Sequence, residues 1–169
     1  LLDLNGRSRK PQIAMAERYG YHDYAQPAGG CCFLTNEQYS HKLSDLWAYR
    51  GSKEYDLDDI VLLKVGRHLR PRPHFKLIVG RDEGENNFLQ GFRKRYLHLE
   101  AVSHVGPLVL LDGTPNADDV ELAARLTARF GKGRTAGQVA VTVTDIGGQT
   151  RTLEVAPLPT EEIPVSWYL

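Results

Sequence analysis

The segment Gly106-Pro107-Leu108-Val109-Leu110-Leu111-Asp112, followed closely by residues 117–130, limits the fold more than any other part of the chain. A short run this apolar reads as a central strand. Within 117–130, Val120, Leu122, Ala123, Leu126 and Phe130 form one apolar helical face, and Gly131 ends the helix. A buried strand with an amphipathic helix beside it implies a layered domain containing both element types. Neighbouring segments extend the pattern. Residues 57–64 read as a short helix whose acidic start, Asp58-Asp59, favours its N-terminus. Residues 75–80 read as a strand, 82–92 as a helix and 97–103 as a strand. Residues 138–144 and 150–156 flank Ile146-Gly147-Gly148, a hairpin signal. The proline-rich stretch 157–164 is expected to cross the surface, and the apolar residues after it to pack on their own domain or serve a contact.

The first fifty residues differ in character. Ser8 can cap a helix through about Tyr19, with Pro11 in its first turn and Gly20 as its stop. A tyrosine-rich loop follows, then Gln26-Pro27-Ala28-Gly29-Gly30-Cys31-Cys32, whose proline and glycines indicate a tight loop. Thr35-Asn36-Glu37-Gln38 has the form of a capping box. It opens a helix to about Tyr49 with Tyr39, Leu43, Leu46 and Trp47 on one face. The expected organisation is a small helical unit over residues 1–54 and a mixed-sheet domain over 55–169. The fold class is α+β, or mixed α/β.

Composition narrows the function classes. The 169 residues include 21 basic and 21 acidic side chains, so net charge is zero. No apolar stretch approaches the roughly 20 residues of a membrane span. The opening Leu-Leu-Asp-Leu-Asn-Gly-Arg reads as too short and too quickly charged for a signal peptide, so none is expected. Adjacent Cys31 and Cys32 make a poor disulfide framework, so a reduced, cytoplasmic setting is expected. The chain begins with Leu rather than Met, which reads as part of a longer protein.

Against this neutral background, positive charge is concentrated from residue 65 to residue 87. Arg67, His68, Arg70 and Arg72 lie near two prolines that favour an extended segment, and Lys76 and Arg81 follow in and after a strand. Asn86 and Asn87 open the next helix. Guanidinium groups on an extended segment suit bidentate phosphate contacts, so these eight residues form a candidate RNA-binding set. Cys31 is the candidate for covalent chemistry. On a glycine-hinged loop near a helix start, a thiol suits sulfur transfer or ligation of a metal or Fe–S cluster; a free cysteine is otherwise a small buried hydrophobe. No complete metal-binding motif occurs, and no P-loop, dinucleotide fingerprint or serine elbow is present.

Two resemblances join these residues. Leu4-Asn5-Gly6-Arg7-Ser8-Arg9-Lys10-Pro11-Gln12, Pro27-Ala28-Gly29-Gly30-Cys31 and Leu43-Ser44-Asp45-Leu46 resemble the tail of PP-loop ATPases related to tRNA thiouridylases. Such proteins are often named tRNA methyltransferases or likened to ThiI-type sulfurtransferases. From about Asp59 the chain is similar to the RNA-binding domain of NFACT proteins, carried by Phe75-Lys76-Leu77-Ile78-Val79-Gly80-Arg81-Asp82, the following Asn86 or Asn87, and Gly106-Pro107-Leu108-Val109-Leu110. The resemblances imply a tRNA-binding region of a thiolating enzyme, with Cys31 handling sulfur, ATP used by the full-length protein, and a sulfur-donor protein as a partner. The ATP-binding PP-loop is absent, so the chain is expected to be inactive alone, with no cofactor of its own unless Cys31 holds an Fe–S cluster. Structured RNA other than tRNA fits the same basic set. The alternative is a protein-docking module for a sulfur-relay or ribosomal partner.

Overall fold

The computed structural model describes residues 9–23 and 36–169, and the chain divides into two compact units, Leu1–Cys32 and Phe33–Leu169. In the first, the described residues form helix α1 (Lys10–Arg18), with Pro11 in its opening turn, where no backbone N–H is needed. The cap assigned to Ser8 lies outside the described residues.

The second unit is α+β. Its elements are α2 (Glu37–Arg50), α3 (Leu57–Leu62), β1 (Arg67–Arg72), β2 (Phe75–Val79), α4 (Glu83–Gln90), β3 (Leu97–Ala101), β4 (Leu108–Gly113), α5 (Ala117–Phe130), β5 (Val139–Thr144) and β6 (Thr150–Val155). With the compact units meeting at 32/33, α2 shares a unit with the sheet. The strands form one sheet in the order β1-β2-β4-β3-β5-β6, with every neighbouring pair antiparallel.

Both faces of the sheet are covered, and β4 shows why. Val109 and Leu111 join Leu77, Leu99, Val141 and the α5 residues Val120, Ala123 and Leu126 in the main core. Leu108 and Leu110 point the other way, into a second cluster with Leu62, Ile78 and Leu89. Full burial of each such side chain favours folding by about 1.5–3 kcal/mol. A third cluster of Tyr39, Leu43, Leu46 and Leu63 seats α2 against the end of α3.

Short polar side chains set the helix starts. Asn36 accepts from the Tyr39 amide at 3.1 Å, and Asp82 accepts from the Glu85 amide at 2.9 Å. Asp56 with Asp59, and Asn116 with Asp119, form reciprocal capping boxes. Gly51, at φ +66°, ends α2 in the left-handed conformation open to glycine.

Strand β1 joins the sheet although its sequence has no strand pattern. Pro71 removes a ladder donor, and the β1–β2 register shifts between Leu69 and Arg72. Its outer edge is closed by the segment around Tyr168: Leu69 bridges Tyr168, and the Leu169 amide donates to the His68 carbonyl at 3.1 Å. No helix among the described residues is long and apolar enough to cross a membrane.

Candidate nucleic-acid interface

Folding consumes most of the charge concentrated in residues 65–87. His68 and Lys76 are buried at 1% and 2% exposure. His68 Nε2 lies 3.1 Å from the Leu62 carbonyl and 3.0 Å from that of Val65, donating to the end of α3. Burial, reinforced by the Lys42 and Lys76 charges, holds its pKa well below the usual 6.5. Lys76 lies 3.5 Å from Asp112, its cross-strand partner on β4, and burial lowers its pKa. Buried side chains of this kind have no access to a phosphate.

The arginines of β1 are tied to carboxylates. Arg70 forks onto Asp45 of α2, with its second bond at 2.7 Å, and lies over the Tyr49 ring. Arg72 and His74 converge on the two oxygens of Asp119 at 2.7 and 2.6 Å. Burial would raise the Asp119 carboxyl. Its bonds from His74 and the Asn116 amide, together with the Arg72 charge, leave it below the usual value.

Asn86 also has a structural task. Its Oδ1 accepts from the Leu108 amide at 3.0 Å, while the Gly80 amide donates to the Leu108 carbonyl at 3.1 Å. A Cβ at Gly80 would occupy the space of that Asn86 oxygen, so the Gly80-Arg81-Asp82 corner requires glycine. Asn87 is exposed on α4. Arg81 turns outward, half-exposed, and forks onto Glu85. That fork, with the Arg81 and Gly66 amides, depresses the Glu85 carboxyl to about 2. Arg67 is half-buried, its guanidinium 4.7 Å from the centre of the Phe130 ring. Of the eight residues singled out, Arg67, Arg72, Arg81 and Asn87 retain an outward aspect, Arg72 and Arg81 while bonded to carboxylates. Cys31 lies outside the described residues.

The Gly80–Asp82 corner opens onto a cleft of about 790 Å³. One wall is this corner with Glu83 and Asn86. A second is Val105, Gly106 and Pro107 between β3 and β4. The third is Phe130, the last residue of α5, with Gly131, Lys132 and Arg134 after it. The Lys132 amide donates to the Val105 carbonyl at 2.7 Å, pinning the last two walls together. A Cβ at Gly131 would come within 3.1 Å of the Gly106 Cα, so these backbones meet where a side chain would separate them. Lys132 and Arg134 are exposed and form no ion pair among the described residues. Sequence reasoning missed both. The signal was present in Gly131-Lys132-Gly133-Arg134, where cations alternate with glycines directly after a helix. Among the described residues, no three His, Cys, Asp or Glu side chains gather as a metal site.

Comparison with known proteins places this geometry. No curated protein matches the chain. Among solved structures, the C-terminal part of the fibronectin/fibrinogen-binding protein from Streptococcus suis shares the fold. Its TM-score is 0.53 at 23% identity, covering 62% of this chain and 50% of that one. The chain thus spans about half the length of that structure. Neither comparison links the chain to PP-loop thiouridylases. A family model described as the NFACT protein RNA binding domain matches residues 66–168, from just before β1 to Tyr168. The chain belongs to the NFACT protein RNA-binding domain family.

Proposed function

We propose that this chain binds RNA through the cleft between the Gly80–Asp82 corner, the β3–β4 connection and the residues after α5. The observation that carries the reading is the contrast between two sets of cations. Apart from Arg67, which lies over the Phe130 ring, those of β1 and β2 are buried or bound to carboxylates, whereas Lys132 and Arg134 stand exposed and unpaired beside Arg81. Unpaired cations at a cleft attract phosphates and release counterions on binding. tRNA is the RNA to test first, a choice supported by the resemblance of residues 4–12 and 27–31 to thiouridylases. A sulfur-handling role for Cys31 and membership of a thiolating enzyme rest on that same resemblance.

The test is fluorescence-anisotropy titration of the full chain with tRNA across a salt series. A Lys132→Glu/Arg134→Glu variant, with its fold checked by circular dichroism, runs alongside. Binding is expected to weaken at least tenfold in the variant. Each lost phosphate contact should flatten the log–log salt slope by about 0.7–0.9. Unchanged affinity in the folded variant would move the interface elsewhere. Glutamates at Arg70 and Arg72 make a poor probe, because they would sit against Asp45 and Asp119 and disrupt the fold.

A further inference from the structure

We propose that the cleft receives unpaired nucleotides, from a loop or end of an RNA, in preference to a continuous duplex. The inference rests on the RNA-binding reading and specifies the form of RNA that the site takes.

Shape is the first argument. About 790 Å³ of open cleft between three wall segments lies within the roughly 300–1,000 Å³ range of small-ligand pockets. A duplex presents a broad, rounded surface whose bases are stacked inside it, and A-form RNA offers proteins a wide, shallow minor groove. A cleft of this size has room for a base that has left the stack. Duplex contact at its mouth would reach the rim and leave the interior unused.

Chemistry points the same way. A site for phosphates alone needs cations, but this cleft also has apolar surface. Val105 is 72% exposed at its lip, and half-buried Phe130 forms part of the wall. Arg67, stacked on Phe130, holds that ring and brings a further cation to it. Aromatic and apolar surface next to cations is the combination that binds single strands, with bases against the rings and phosphates against the charges.

The charges are also divided between walls. Lys132 and Arg134 carry unopposed positive charge on one side. On the other, Arg81 is forked by Glu85, and Asp82 and Glu83 add carboxylates. A phosphate is favoured at the Lys132–Arg134 wall and repelled from the Asp82–Glu83 edge. Those carboxylates accept hydrogen bonds from base amino groups or ribose hydroxyls. The strand would therefore lie with its backbone along the residues after α5 and its bases toward the β2–α4 corner.

The experiment compares three labelled probes on the full chain at one salt concentration: a 12-nucleotide single-stranded RNA of mixed sequence, the blunt duplex of that RNA with its complement, and tRNA. The single strand is expected to bind at least tenfold more tightly than the duplex. Val105→Asp, at an exposed position that leaves the core intact, should weaken single-strand binding at least fivefold. Phe130→Leu should do the same while retaining an apolar side chain in α5. Duplex binding as tight as single-strand binding, or single-strand binding indifferent to Val105→Asp, overturns this inference. If tRNA still binds and responds to Lys132→Glu/Arg134→Glu, the RNA-binding reading survives that result. Failure of all three probes to bind removes both.

Discussion

His68 illustrates how one side chain can carry a consequence for the entire fold. Its flanking arginines make it read, from sequence, as a phosphate donor. In the structure it lies inside, where only neutral imidazole is tolerated and Nε2 serves the Leu62 and Val65 carbonyls. Its folded pKa is depressed, so as pH falls through 6.5 the unfolded chain takes up a proton that the folded one refuses. Stability should decline between about pH 6.5 and 5, above the range where carboxylates titrate. Urea unfolding at steps across that window should show the decline in the parent chain and a flatter profile in His68→Gln, which keeps a donor and cannot charge. Equal slopes would rule His68 out as the cause. The sequence concealed this role because the receiving carbonyls belong to the last residue of α3 and the turn after it. Local composition says nothing about which backbone oxygens a strand residue will meet.

Among the elements, those defined by their own periodicity were legible. The apolar run of β4, the stripe of α5 and the glycine turn between β5 and β6 all stand where the pattern put them. Strand β1 was not legible, because arginines and prolines disguise it. Its membership depends on partners elsewhere, Asp45 on α2 and Asp119 on α5. Asp119 joins three elements at once: it caps α5, accepts from Arg72, and accepts from His74 in the β1–β2 turn. Asp119→Asn should cost about 2–4 kcal/mol in chemical denaturation, combining a weakened cap with lost charge-assisted bonds. A cost below about 0.5 kcal/mol would show that the hairpin is held by its apolar residues alone. The cleft was half-legible. The Gly80-Arg81-Asp82 corner and Gly106-Pro107 attracted notice, whereas Lys132 and Arg134 acquire meaning only once α5 delivers them to the same opening.

For the whole molecule, buried lysines set the response to alkali. Burial, with help from the Arg81 charge, pushes Lys42 down to about 8, although its ammonium donates to the Leu63 and Gly66 carbonyls; burial lowers Lys76 as well. Above about pH 8 the folded chain releases the Lys42 proton, while the unfolded chain keeps it until about 10.5. Stability should therefore rise from pH 8 toward 10, a direction readable as a higher urea midpoint at pH 9.5 than at 7.5. A lower midpoint at 9.5 would contradict the burial of these ammonium groups. The closure of β1 by Tyr168 and Leu169 carries a consequence of another kind, in the order of synthesis. A ribosome makes β1 roughly a hundred residues before the segment that covers its outer edge. During that interval the strand has open hydrogen-bonding groups and no native neighbour on that side. Its charges and its proline, poor material for a sheet, are good protection for a strand that must wait.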